Sequence, residues 1–146
     1  MDNSIPSSEN TFLTNRQIEV LALRGRGLSQ KDIASQFGTT IPNISSIETN
    51  ARHNIDKAKK TLRLSEFIRC VVIFSSPKGS DLWDITSQIY AAADNNGIKI
   101  SYTEPELIAF IDGEVKKHIK NRKTMVDIDI GLAADGSLIM IPHPSS

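Results

Sequence analysis

The residues best able to do chemistry gather in two stretches of the 146-residue chain. Between positions 39 and 49, Thr39, Thr40, Asn43, Ser45, Ser46 and Thr49 supply hydroxyls and one carboxamide, with apolar Ile41 and Pro42 among them. These groups both donate and accept hydrogen bonds without carrying charge, which is the chemistry that reads the edges of nucleic-acid bases. An Asn amide pairs with adenine N6 and N7, Ser and Thr reach bases or phosphates, and a side chain such as Ile41 meets a thymine methyl. Lys31 and Arg52 flank the stretch as phosphate-binding cations. The second stretch is Ser75-Ser76-Pro77-Lys78-Gly79-Ser80. Hydroxyls, one ammonium and backbone N–H groups ahead of a helix start are the components of an anion site, so Ser75, Ser76, Lys78, Gly79 and Ser80 form a candidate loop for a small anionic effector. Its spacing is not that of a P-loop, and an ordinary capped loop is the competing reading.

Other chemistries find little support. His53, His118 and His143 lie far apart, and the single cysteine, Cys70, has no partner for an internal disulfide. No Ser/His/Asp or Cys/His grouping and no zinc-type spacing is present, so neither an enzyme nor a metal or other cofactor is expected. Asp127 and Asp129 alternate along one strand face and read as its solvated side. Lys116, Lys117, Lys120, Arg122 and Lys123 read as a solvated, helix-ending cluster, with a secondary phosphate contact as the alternative. Cys70 reads as inert core, and Trp83 with Tyr90 as one packed helix face.

Charge bears on the first stretch. Overall, 17 basic residues balance 17 acidic ones, which taken as an average argues against a polyanionic partner. The average conceals a division: residues 13–63 hold nine basic and four acidic side chains, a net of +5, and residues 64–146 hold eight and eleven. A basic module is joined to an acidic one.

The elements that must position these residues follow from periodicity. Residues 1–12 are polar and read as a mobile tail. Thr14-Asn15-Arg16-Gln17 fits a capping box opening a first helix that ends at Gly25-Arg26-Gly27. Ser29 caps a second helix, Gln30 to Phe37, closed by Gly38. Pro42 is tolerated only in the first turn of a third helix, which therefore starts near Thr39-Thr40. In it Ile44, Ile47, Ala51, Ile55, Ala58 and Leu62 form a stripe too long for two short helices to cover, which points to a second subunit or the second domain. Glu48 would repel phosphates unless it pairs with Arg52 or reads a cytosine amine. Beyond it, the pattern predicts a buried strand over 68–74, a helix over 81–95, a strand over 98–102, a helix from Thr103 to about Lys117, and a hairpin of strands 125–132 and 137–141.

The segment LTNRQIEVLALRGRGLSQKDIASQFGTTIPNIS resembles the helix-turn-helix of response-regulator output domains and of sigma-factor region four. The matching positions are Leu13-Thr14, Arg16, Glu19-Val20-Leu21, Gly27-Leu28-Ser29, Lys31, Ile33-Ala34 and Gly38. With the long third helix and the downstream VVIFSSPKGSDLWDI, the whole chain resembles Tfx-type transcriptional regulators, an archaeal family with this two-domain order. The resemblance implies sequence-specific DNA binding by the N-terminal part.

The expected class is therefore α+β: an all-α helix-turn-helix over 13–63, then a small α/β sandwich-like domain over 64–146 in the order β-α-β-α-β-β. The expected function is a cytoplasmic regulator that binds double-stranded DNA as a homodimer, its second domain dimerising and sensing an effector. A protein-interaction adaptor using the three helices as a docking surface is the alternative. No stretch approaches the roughly 20 apolar residues of a membrane span.

Overall fold

The structure is a computed structural model that describes residues 6–143. Among these residues five α-helices and two small antiparallel sheets make an α+β fold, and the contacts divide the chain into two compact units, Met1–Leu62 and Arg63–Ser146. The first unit holds α1 (Asn15–Gly25), α2 (Gln30–Phe37) and most of α3 (Ile41–Ile68). The Thr14 hydroxyl accepts from the Gln17 amide and the Gln17 side chain from the Thr14 amide, so α1 starts on the expected capping box. Ser29 and Asp32 do the same for α2. Gly38 then ends α2 with φ of 64°, a left-handed value that a side chain would disfavour, and only Thr39 and Thr40 separate it from α3.

Val20, Ile33, Ala34 and Ile44 are buried together, with Leu23, Leu28, Phe37 and Ile47 packed around them. Each large side chain so buried stabilises the unit by about 2 kcal/mol. The Arg16 guanidinium covers the Phe37 ring at 4.2 Å. Residues 1–5 of the expected tail lie outside the described residues. Nearer the helices, the Thr11 amide and hydroxyl donate to the Ser8 carbonyl, and Asn54 of α3 donates to the Phe12 carbonyl.

The second unit continues from the end of α3 through β1 (Val72–Ser76), α4 (Leu82–Asn95), α5 (Glu104–Val115), a 3₁₀ turn at Lys116–His118, β2 (Ile119–Lys120), β3 (Lys123–Thr124), β4 (Ile128–Leu132) and β5 (Leu138–Pro142). The main sheet is antiparallel in the order β1-β4-β5, with Ile73 opposite Gly131 and Gly131 opposite Ile139. Its inner face carries Ile128, Ile130, Leu132, Leu138 and Met140 onto Ile85, Ile89 and Ala93 of α4 and Leu107, Ile111 and Val115 of α5.

Four expectations are corrected. The apolar run 68–74 is not one strand: Ile68 closes α3, β1 begins at Val72, and only Val72 and Phe74 face the core while Val71 and Ile73 are exposed. Residues 98–102 form no strand. Ile98, Ile100 and Tyr102 do pack on the core in alternation, but the segment crosses the β4–β5 turn with a backbone bond from Ser101 to Gly136 instead of a ladder. It passes so close that a Cβ on Gly136 would lie 1.9 Å from the Lys99 carbonyl oxygen. The basic run does not simply end a helix, because Lys120 and Lys123 pair across a ribbon whose turn, Asn121-Arg122, has both φ angles positive, the hairpin-turn geometry. The order after α3 is therefore β-α-α-β-β-β-β. Finally, Trp83 is not packed on its helix: it is exposed at the start of α4.

Candidate nucleic-acid interface

The Thr40 hydroxyl accepts from the Asn43 backbone amide and so caps α3, with Ile41 and Pro42 as the first helical residues. Beyond the cap, Ile44, Glu48 and Ala51 turn inward. That leaves Pro42, Asn43, Ser46, Thr49, Asn50, His53 and Lys57 exposed within about half of the helix circumference, at about 100° per residue. Of the residues expected from sequence, Thr40, Ile41, Pro42, Asn43, Ser46, Thr49, Arg52 and Lys31 are exposed, and Thr39 and Ser45 are half-buried. Asn50, His53 and Lys57 belong to the same face and were missed, although the period that selects Asn43 and Ser46 reaches them four, seven and eleven residues further on from Ser46. The Asn43 amide nitrogen donates to the Thr39 hydroxyl at 2.9 Å. Its second hydrogen and its oxygen remain, the pair that an adenine edge requires.

Glu48 is the one carboxylate in the first turns of α3, and the structure removes it from the face. It is buried beneath Arg24, whose Nε donates to both carboxylate oxygens at 2.9 and 3.1 Å. Gln30 and Arg52 add bonds at 3.5 and 3.3 Å, and Arg24 also donates to the Leu28 carbonyl. Burial alone would raise the Glu48 pKa; hydrogen bonds from Arg24, Gln30 and Arg52 together outweigh it and hold the carboxyl below its usual range. Pairing with Arg52 was foreseen, whereas Arg24, 24 positions away, was not. A carboxylate inside this cage neither repels phosphate nor reads a base, and the exposed face is left uncharged at its start, with Arg52, Lys57 and the Lys60–Asp56 pair further along.

The comparisons place this arrangement in a family. Residues 58–140, more than half of the chain, match the family model described as "DNA_binding protein, TFX, C-term". The chain belongs to the Tfx family. It is 35% identical over 133 residues to the DNA-binding protein Tfx of Methanothermobacter marburgensis, an overlap covering 91% of this chain and 96% of that one. Two relatives named as putative transcriptional regulatory proteins come from Haloarcula marismortui, 37% identical over 129 residues (88% of this chain, 81% of the relative), and from Methanocaldococcus jannaschii, 36% identical over 130 residues (89% and 95%). Overlaps of this length exceed the second unit and reach into the helical one. The chain is thus a DNA-binding regulator of the Tfx type.

In this Tfx protein the second expected site is not built as an anion cradle. The Lys78 amide donates to the Asp127 carboxylate at 2.7 Å, the Gly79 amide to the Thr124 carbonyl and hydroxyl, and the Ser80 amide to the Thr124 hydroxyl. The Ser76 and Ser80 hydroxyls bond each other, and the α4 N-terminus is closed by an Asp81–Asp84 capping box. Every backbone donor from Lys78 to Asp81 is spent, one of them on a carboxylate whose charge opposes an anion. The loop is a structural clasp that ties β1 to the β3–β4 connection. Asp127 therefore accepts from the loop backbone, and Asp129 pairs with the His143 Nε2 nitrogen. No three His, Cys, Asp or Glu residues among the described ones converge on a metal position, and no described helix is long and apolar enough to cross a membrane.

Proposed function

We propose that this protein regulates transcription by binding duplex DNA sequence-specifically as a homodimer, with the first turns of α3 in the major groove. The observation that carries the reading is the composition of the exposed α3 face. Its first turns present Asn43, Ser46, Thr49 and Asn50 and its later turns His53 and Lys57; Glu48, the one carboxylate of the first turns, is withdrawn into the Arg24 cage, and Asp56 beside the later turns pairs with Lys60. A groove-reading helix needs uncharged donors and acceptors toward bases and cations toward phosphates, and this face meets both requirements. Arg26 and Lys31, exposed on the turn before α2 and on α2 itself, supply further phosphate contacts. The amides of residues 78–81 are committed to protein acceptors, which weighs against effector sensing by that loop and leaves Lys78 as its one cation.

Selection of bound sequences from a random DNA pool, followed by gel shifts at two salt concentrations, tests this. The expected result is a two-fold symmetric site whose affinity falls steeply with salt, because each neutralised phosphate releases counterions. Binding that ignores sequence, or a failure to bind duplex DNA at all, would replace the reading with non-specific or protein-docking roles.

A further inference from the structure

We infer that a second copy of this chain docks on the open apolar face of the second unit formed by Leu64 and Ile68 of α3, by Val71 just before the edge strand β1 and by Ile73 within it. This rests on the homodimer proposed above and names the surface that makes it. Leu64 is 50% exposed, Ile68 66%, Val71 61% and Ile73 52%. Four large aliphatic side chains within ten residues of sequence are left in water, although thirteen of the unit's described apolar residues are buried. Scattered exposed apolar residues are ordinary, but these follow one another along the chain, and Phe67 and Cys70 between them approach Gly131, the cross-strand partner of Ile73, which brings them to one side of the sheet.

Strand order says what kind of contact. β1 lies at one edge of the β1-β4-β5 sheet, so among the described residues no strand pairs with its outer side. Edge strands that remain in solvent are protected by charges, prolines or bulges. β5, at the other edge, ends in Pro142, but β1 reads Val-Ile-Phe-Ser-Ser and has neither a charge nor a proline. An unprotected antiparallel edge pairs with its own copy about a two-fold axis, which continues the sheet and brings the Ile73 side chains of both copies together.

Charge selects a second copy over another occupant. Glu66 and Arg69 bracket Ile68, both exposed, and neither makes an ion pair among the described residues. A two-fold axis sets the Glu66 of each copy toward the Arg69 of the other, a self-complementary arrangement. The rival apolar feature, a groove of about 330 Å³ between Phe12 and the Ile55 and Ala58 positions of α3, fails the same criterion. Lys59 is the one charged residue that lines it, with no acidic residue to answer it, so two copies meeting there would oppose like charges.

Sedimentation equilibrium of the full chain and of the Ile68→Glu and Ile73→Glu variants tests the proposal. Both positions are exposed, so circular dichroism and melting temperature of the monomer should be unchanged. The expected result is a wild-type dimer whose dissociation constant rises at least tenfold for either variant, with the double variant monomeric. In a Cys70→Ser background, Ile73→Cys should also cross-link to a disulfide-bonded dimer under mild oxidation. A wild-type chain that stays monomeric at all concentrations overturns the homodimer and this surface with it. A wild-type dimer that neither glutamate weakens, and that does not cross-link through position 73, overturns the surface while leaving the homodimer standing, and dissociation by Ala58→Glu would then assign the contact to the groove.

Discussion

The carboxamide of Asn43 is held one helical turn after Thr39, donating to its hydroxyl at 2.9 Å. A base-reading amide free to rotate must lose that freedom on binding, and Thr39 has already fixed it. Asn43→Ala should cost about 1–3 kcal/mol of discrimination at one base pair while leaving binding to unrelated DNA unchanged. Thr39→Val keeps the shape and removes the hydroxyl, so it should cost a smaller share, about 0.5–1 kcal/mol, at that same base pair. Competition gel shifts over a set of single-base operator variants measure both. Equal losses on all sequences for Asn43→Ala would mean that the residue contacts the backbone and not a base.

Arg24 and Glu48 should behave as a pair. Removing one partner leaves a buried carboxylate with only its longer bonds, and broken buried pairs cost about 3–5 kcal/mol. Because the Arg24 side chain is 36% exposed, water recovers part of that, and Arg24→Ala should destabilise the first unit by about 1–3 kcal/mol. Glu48→Gln should cost less, since the amide oxygen still accepts from Arg24. Urea denaturation of the three single and double variants, analysed as a cycle, should show strong non-additivity. Additive losses would mean that the two side chains contribute independently.

The same carboxylates set the response to acid. Asp32 is held below its ordinary value of 3.8 by the Ser29 hydroxyl and amide, Asp135 by the Ser137 hydroxyl and amide, and Glu106 below 4.5 by the Thr103 amide and hydroxyl. Glu48 is lowered as well, its burial outweighed by Arg24, Gln30 and Arg52. A carboxyl whose folded pKa lies below its unfolded value binds its proton more readily when unfolded. Each group therefore contributes stability that is complete above about pH 5 and is lost as pH falls through the folded value. Unfolding free energy from denaturant titrations should rise with pH up to about 5 and then level off. Asp32→Asn should flatten the slope in proportion to one group, and an unaltered slope would remove Asp32 from the account.

How much of this was legible in sequence depends on the distance over which each interaction acts. Capping boxes at Thr14, Ser29 and Thr103 span three residues, so their partners stand in the same short string as the helix they open. The α3 face was legible for the same reason, through its period, and stopped at Thr49 only because Asn50, His53 and Lys57 were not followed round the helix. The Glu48 cage was legible only as far as Arg52, because nothing local announces that Arg24 arrives from α1. At 68–74 an apolar run combined the end of a helix with the start of a strand, since only three residues separate them. At 98–102 true alternation recorded packing on one side and not pairing on the other. The loop at 75–80 offered donors whose acceptors, Thr124 and Asp127, lie more than forty positions away.

Gly131 provides a last, purely steric prediction. It sits in the middle of β4 opposite Ile73 and Ile139, with no positive φ to require a glycine. What requires it is space: a Cβ there would lie 2.7 Å from the Cys70 Sγ, 3.0 Å from the Phe67 Cδ2 and 3.1 Å from the Cys70 Cβ. Phe67 at the end of α3 and Cys70 just after it thus approach β4 at a position that carries no side chain, and Phe67 is buried. Gly131→Ala should push these residues and β4 apart and destabilise the second unit by about 1–3 kcal/mol, the usual effect of overpacking. Cys70→Ala removes the nearest atom, so in that background the same substitution should cost less, though not nothing, because Phe67 and the β-carbon at 70 remain. Thermal unfolding of the four proteins in the cycle measures this. An additive result would show that the Cys70 sulfur is not what the new β-carbon pushes against, and no cost of Gly131→Ala in either background would show that the close approach contributes nothing.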